Sequence, residues 1–414
     1  MNKSSALTVA VIGAGASGLA AAIFAARQAL KLKVNADITL FDSNPRVGKK
    51  ILVTGNGRCN FSNENISPSN FHGESDFAYN VYSEFTCEDT KEFFRSLGLF
   101  SKTDSAGRVY PMSMQASAVL DALRFEVNRL KIREVTDTKI TSITKKGSTF
   151  LLNNEFSAHK VIIATGGKAA PVQGSDGSGF NLLSSLGVKY TPLFSALAPV
   201  NCENFTKSLK GIRAQGTVTI KSQGKVLSQD TGEIQYTDYG LSGIPTMQVS
   251  RFAAEALKNG NEVFAYVDSA PAFSEDELKG ILLSYVKNHP SFTCEMLLSG
   301  IMPKKLGCFL LSECSLNLNR EIGSLHPTVI EKIVSSVKNK KYKISSVKGF
   351  NDAQVTAGGV PAYEINEDTM ELKKIKGIYV CGEIVNVDGD CGGYNLQWAW
   401  SSAYKAGINT VREN

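Results

Sequence analysis

Along the first forty residues the spacing of apolar positions changes twice. Thr8, Val9, Val11 and Ile12 form a β-branched run of the kind that makes a buried strand, and Ala20–Ala26 is an alanine-rich stretch suited to a close-packed helix. Gly13, Gly15 and Gly18 lie between them, so the pattern predicts strand, tight turn and helix. A second apolar run, Ile38-Thr39-Leu40-Phe41, predicts the next strand. This alternation of short apolar runs and helical stretches continues to about residue 190, which is the α/β pattern. From 191 to 272 the chain reads as strands, among them Gly216–Lys221, Glu233–Thr237 and Glu262–Asp268. The stretch 273–340 reads as helical and opens on Ser274-Glu275-Asp276-Glu277, a capping box. From 341 to 414 glycine turns and short strands return. The expected layout is therefore a first nucleotide-binding piece over 1–190, an inserted β-rich domain over 191–272, an inserted helical domain over 273–340, and a return strand with the second nucleotide-binding piece over 341–414.

Composition narrows the classes. With 414 residues, 43% of them apolar and 20% charged, the chain is neither a disordered tail, a collagen-like fibre nor a disulfide-stapled mini-protein. The length allows two or three domains, each with its own core. A net charge of +6, from 45 basic and 39 acidic residues, argues for neither a nucleic-acid binder nor a polybasic membrane anchor. The 21 residues Ala6–Ala26 carry no charge and are long enough to span a bilayer, but the internal glycines and the shift from β-branched to alanine-rich sequence fit strand, turn and helix better. A signal peptide is not expected, because Met1–Ser5 has one lysine and the apolar run continues into motif residues. The expected setting is the cytoplasm. Eight cysteines without a Cys-x-x-Cys pair and four scattered histidines predict no metal centre. The basic run Lys338, Lys340, Lys341, Lys343 and Lys348 reads as a solvated helix end.

The candidate chemistry lies in the glycines. In Val9–Ala21 a G-x-G-x-x-G pattern follows a strand and opens a helix. There Gly13 serves the tight turn, Gly15 the approach of a pyrophosphate to the backbone, and Gly18 the close packing of helix on strand. The helix N-terminus offers N–H groups and a positive dipole end to phosphates. Asp42, ending the next strand, stands where a carboxylate grips a ribose 2′-hydroxyl, which favours FAD or NAD over NADP. Three further segments favour FAD. A second glycine-rich loop runs from Pro45 to Asn60, Val161–Gly167 is a buried strand ending in a glycine turn, and Gly377–Glu383 is a strand ending in Gly-Glu. The last is followed by Asp388–Ala399, where a glycine pair starts a helix whose N-terminus would face the flavin N1/O2 edge.

Four stretches, Thr54–Asn60, Tyr239–Pro245, Val355–Val360 and Gly392–Gln397, resemble the signatures of the bacterial BaiN-type NAD(P)/FAD-dependent oxidoreductases over most of the chain, Val9 to Gly407. The resemblance implies a Rossmann-like FAD domain in two pieces, interrupted by a β-barrel-like domain and a small helical domain. It implies FAD contacts at Gly13, Gly15, Ala16, Gly18, Asp42, Gly48, Lys49, Thr54, Gly55, Gly57 and Arg58, and at Thr165, Gly166, Gly382, Glu383, Asn395 and Leu396. It also places the Gly358-Gly359-Val360 turn near the flavin ring. The family pattern has Thr-His before Gly-Leu-Ser-Gly, whereas this chain has Thr237-Asp238.

The implied activity is reduction of FAD by NAD(P)H, followed by hydride transfer to an activated C=C bond of a small organic substrate. There is no second strand–G-x-G-x-x-G–helix unit, and Gly174–Gly179 has the wrong spacing, so a nicotinamide would bind only transiently. That leaves an FAD oxidase of a small amine such as aminoacetone as the alternative. A third reading, RNA binding, rests on the lysine run alone. No catalytic acid or base is singled out among Tyr236, Asp238, Tyr239, Tyr394 and Cys391. Cys59 reads as a small buried side chain in a tight loop.

Overall fold

The computed structural model describes residues 6–412, which group into two compact units. The chain up to Phe194 and the chain from Gln354 onward make the first unit, and Ser195–Ala353 make the second.

The first unit is built on a five-stranded sheet. Its strands are β1 (Leu7–Ile12), β2 (Ala36–Phe41), β3 (Arg133–Val135), β4 (Lys160–Ile163) and β5 (Ile378–Val380), in the order β5-β4-β1-β2-β3. All four pairings are parallel, and Val11 of β1 lies between Leu40 and Ile162. Val9–Ile12 are buried, which explains a continuous apolar run in place of alternation: a central parallel strand is covered on both faces. Helix α1 (Ala16–Leu32) leaves β1 through the glycine turn. The uncharged run Ala6–Ala26 is thus β1, turn and the first half of α1. Helix α2 (Tyr394–Thr410) packs on α1, and a Cβ at Gly407 would stand 2.6 Å from the Ala21 carbonyl oxygen and 2.9 Å from Phe24 Cβ. Alanines on α1 and a glycine on α2 therefore set the close approach of the two helices. Among the described residues no helix is long and apolar enough to cross a membrane. Met1–Ser5, on which the expectation about a signal peptide rests, lie outside the described residues.

The second unit is a closed antiparallel barrel of Val200–Cys202, Gly240–Ser242, Lys225–Tyr236, Arg213–Ser222, Val263–Asp268 and Lys340–Val347, in that spatial order. In Arg213–Ser222 the buried positions Ala214, Gly216, Val218, Ile220 and Ser222 alternate with outward ones, the period-2 signature of a strand covered on one face. Three helices, Glu275–Asn288, Lys304–Glu313 and Pro327–Lys338, share one core with the barrel, in which Leu278, Leu310 and Ile333 join Val218 and Val267. The capping box forms: Ser274 Oγ accepts from the Glu277 N–H at 3.2 Å, and Glu277 Oε2 accepts from the Ser274 N–H at 2.8 Å.

The lysine run differs from its reading as a helix end. Only Lys338 ends a helix; Lys340–Val347 is a barrel strand that turns Tyr342 and Ile344 inward and Lys341 outward. Its charges are largely engaged. Lys338, Lys340 and Lys343 pair with Asp268, Glu313 and the Glu203/Glu262 couple, and Lys341 and Lys348 lie 3.9 and 4.0 Å from the ring centroids of Phe264 and Tyr239.

Candidate cofactor site

The glycine turn after β1 is built as its residue types require. Gly13 has φ +97°, and a Cβ there would meet the Ala164 carbonyl oxygen at 2.5 Å, because the end of β4 crosses the turn. At Gly18 a Cβ would stand 1.7 Å from the Gly13 carbonyl oxygen, so helix and turn touch backbone to backbone. Gly15 is different in kind. Its φ of −80° and ψ of −163° are open to any residue, and nothing lies within 4 Å of its Cβ position. A side chain at Gly15 would meet no protein atom, and the N-terminus of α1, beginning at Ala16, has no capping side chain. An open face over uncapped N–H groups is what a pyrophosphate needs. These residues fit a dinucleotide.

Asp42 closes one side of the turn. Its Oδ2 accepts the Ala14 N–H at 2.8 Å, and its Oδ1 accepts the Asn44 N–H at 2.7 Å and Asn44 Nδ2 at 2.9 Å. The second glycine-rich loop is tied to the first by the Gly48 N–H donating to the Ala14 carbonyl at 2.8 Å. It then coils through left-handed conformations at Gly55 (φ +56°), Asn56 (φ +55°), Gly57 (φ +80°) and Cys59 (φ +55°), with Thr54 Oγ1 donating to the Ile51 carbonyl at 2.6 Å. Gly55, Gly57 and Arg58 are exposed.

Four segments distant in sequence meet at Glu383. Its Oε2 pairs with Lys50 Nζ at 2.8 Å, and its Oε1 accepts the Thr356 N–H at 2.8 Å. Thr356 Oγ1 in turn accepts the Lys168 and Ala169 N–H groups at 2.7 and 2.9 Å, while Lys50 Nζ also reaches the Ala169 carbonyl at 3.2 Å. A Cβ at Gly167 would strike both Thr356 Oγ1 (2.4 Å) and Glu383 Oε1 (2.8 Å), so the glycine after Thr165-Gly166 is a packing requirement. The side chain of Glu383 is 20% exposed and that of Lys50 25%, so the pair borders open space. Beside it, the Gly382 N–H donates to Ser402 Oγ and the Gly382 carbonyl accepts from Trp398 Nε1, fastening the end of β5 to α2. The Gly358-Gly359-Val360 turn is held by the Val360 N–H donating to the Ile384 carbonyl at 3.0 Å. At the other glycine pair, Gly392-Gly393, α2 begins without a capping side chain, and Asn395 holds the approach loop by bonds to the Gly389 N–H and carbonyl, both 2.8 Å. Leu396 is half-buried in the first turn of that helix.

The family of HI0933-like protein Rossmann domains matches residues 7–409. The chain belongs to that family. Over 405 residues it is 40% identical to the 3-dehydro-bile acid delta(4,6)-reductase of Clostridium scindens, covering 96% of this chain and 98% of the relative. It is 25% identical over 417 residues to the ribosomal RNA dihydrouridine synthase of Haemophilus influenzae, covering 97% and 98%. Among solved structures, the 3-ketosteroid delta1-dehydrogenase of Sterolibacterium denitrificans superposes with a TM-score of 0.50 at 11% identity, over 98% of this chain and all of that one; this likeness concerns the fold. The chain is thus an oxidoreductase of the Rossmann flavoprotein class.

In this HI0933-like chain the residues considered for acid/base work belong to both units. Tyr236, Asp238 and Tyr239 belong to the barrel unit. Tyr236 is buried there and its hydroxyl is pushed up to about 12 by that burial, whereas Asp238 is exposed and paired with Lys210 at 2.8 Å. Tyr239 lies against the Lys348 ammonium. Tyr394 and Cys391 stand at the glycine pair in the first unit, where burial raises the Tyr394 hydroxyl. Burial also raises the Cys59 thiol to about 12, so Cys59 is a thiol and no nucleophile at neutral pH.

Three residues escaped the sequence reading. Lys50 meets Glu383, whereas the neighbouring Lys49 is exposed and donates to the Val172 carbonyl at 2.7 Å. Asn44 braces Asp42. His72 Nε2 lies 2.8 Å from Asp390 Oδ1, on the loop that Asn395 holds. Only Asn44, two residues beyond Asp42, carried a local signal, since an Asp-x-Asn pair is a common Asx-turn.

Proposed function

We propose that this chain is an FAD-dependent reductase that draws electrons from NAD(P)H and saturates an activated C=C bond of a small organic substrate, acting in the cytoplasm without a membrane or nucleic-acid partner. The observation that carries the reading is the pairing of an open, uncapped helix start at Gly15 with the convergence of four distant segments on Glu383. A nucleotide that carries no ribityl chain would need the first without the second. The 40% identical relative, named as a reductase of an unsaturated steroid acid, supports the direction of the chemistry.

In this reading the N–H groups at the start of α1 bind the pyrophosphate, and Asp42, held by three N–H donors, orients the adenosine ribose. Glu383 accepts from ribityl hydroxyls with the lone pairs that Lys50 and Thr356 leave open, since a carboxylate offers about four acceptor positions. The uncapped start of α2 at Gly393 faces the ring edge on which negative charge develops. FAD, when bound, would supply the two-electron chemistry by which a nicotinamide reduces the double bond, with hydride added to one carbon and a proton from solvent or an acidic side chain added to the other. The engagement of the lysine run with carboxylates and rings supports a function without RNA.

Anaerobic bleaching of the flavin absorbance, tried separately with NADH, NADPH and aminoacetone, tests the proposal. Bleaching by a nicotinamide and recovery on adding an enone is the expected result. Bleaching by the amine alone, with hydrogen peroxide formed in air, would replace the reductase by an oxidase.

A further inference from the structure

Among the described residues Lys50 is the basic side chain whose amine meets Glu383, and the reaction outlined above gives it no role. The two are 333 positions apart in sequence, yet Nζ and Oε2 stand 2.8 Å apart, and the Ala169 carbonyl takes a second N–H of the same ammonium at 3.2 Å. Among the described residues Glu383 has one other donor, the Thr356 N–H. Both side chains keep about a fifth to a quarter of their surface open, so the pair lines a space and is not sealed in the core.

We propose that Lys50 is a positioning residue for the cofactor: it fixes the Glu383 carboxylate and cancels its charge, so that a molecule bearing a pyrophosphate and a reducible ring is accepted beside an acid. The inference rests on the FAD reading of this site. Two physical consequences follow. A lone carboxylate in a partly dehydrated cleft repels the phosphates, and at an effective dielectric near 20 such repulsion remains several-fold stronger than in water. The same uncompensated charge opposes the negative charge that the ring gains on reduction, so the midpoint potential moves to more negative values. Lys49 has neither effect, because its amine is spent on the Val172 carbonyl at the surface.

The test is a double-mutant cycle on the full chain, with FAD affinity from titration of the apoprotein and the midpoint potential of the reloaded protein as readouts. Lys50→Met is expected to weaken FAD binding by about tenfold, the change that ~1.4 kcal/mol represents, and to lower the potential. Lys50→Arg should restore both, since a guanidinium reaches the same carboxylate. In the Glu383→Gln background Lys50→Met should change both quantities by less than it does in wild type, because only the charge of the ammonium is then removed and no carboxylate is left to hold, and this arm serves even if the single Met variant fails to fold. An affinity within twofold of wild type together with an unchanged potential in Lys50→Met overturns the proposal, as does full additivity in the cycle. Wild-type protein that binds no FAD at all would instead overturn the cofactor reading on which the proposal stands.

Discussion

Gly15→Val separates binding from folding at the position where the two are easiest to confuse. A glycine in a glycine-rich turn is ordinarily irreplaceable for one of two reasons, a left-handed backbone or a neighbour where Cβ would go. Gly15 has neither: its dihedrals of −80° and −163° suit a β-branched residue, and no atom lies within 4 Å of the Cβ position. The apoprotein should therefore keep its stability to within ~0.5 kcal/mol, the usual range for a surface substitution away from special features. What the valine fills is the space over the start of α1. Each charge-assisted hydrogen bond from a backbone N–H to a phosphate contributes ~1.5–3 kcal/mol, so losing even one weakens FAD about 10- to 150-fold. The assay is paired: thermal unfolding of the apoprotein, and flavin-fluorescence titration of the same sample. Gly18→Ala is the contrasting control. Its Cβ would stand 1.7 Å from the Gly13 carbonyl oxygen, so it must fail in the unfolding assay itself. Normal FAD affinity in Gly15→Val would refute the placement of the pyrophosphate. A drop in its apoprotein stability as large as that of Gly18→Ala would refute the claim that the position is open.

Other consequences are measurable with simpler means. A thiol reagent at pH 8 should modify the half-buried Cys308 and Cys314 before Cys59, Cys202 or Cys381, whose thiols burial raises to about 12; early labelling of Cys59 by peptide mapping would contradict its place in the structure. Lys405 is 2% exposed and pairs at 2.7 Å with Glu84, which is 51% exposed, so removing one partner is not equivalent to removing the other. Glu84→Ala strands a buried ammonium and should cost ~2–3 kcal/mol in urea unfolding, whereas Lys405→Met leaves a solvated carboxylate and should cost less; equal losses would count against the asymmetry. Glu126, bonded by Arg129 and Arg27, has its carboxyl held below the ordinary glutamate value of 4.5. A depressed acid contributes stability that is present above 4.5 and is given up as pH falls through the lower folded value. Glu126→Gln should therefore lose stability at neutral pH and show a shallower fall below pH 4.5, and an unchanged acid limb would argue that the pair is not formed.

What the sequence disclosed and what it withheld divide by the range of the physics involved. The turn after β1 was legible because two of its glycines answer constraints within a few residues, a dihedral at Gly13 and a contact with its own turn at Gly18. The capping box at Ser274 and Glu277 was legible for the same reason. The lysines of Lys340–Val347 were read as a helix end because they dominate a local reading, and the strand's inward alternation of Tyr342 and Ile344 gains meaning only when Val263–Val267 lies alongside. Lys49 and Lys50 pose the same problem more sharply. Composition cannot choose between adjacent lysines, since the choice depends on which one the Gly48 turn aims at a carboxylate 333 residues away. The glycine motifs therefore report where backbone comes close, and they carry the proposal for where the cofactor binds. The charges that decide how tightly a cofactor is held, and at what potential, sit on side chains such as Lys50 and Glu383, whose partners are fixed only once the sheet has assembled. A variant series confined to the glycines would test the site's location and leave its chemistry untouched; the Lys50–Glu383 cycle tests the chemistry.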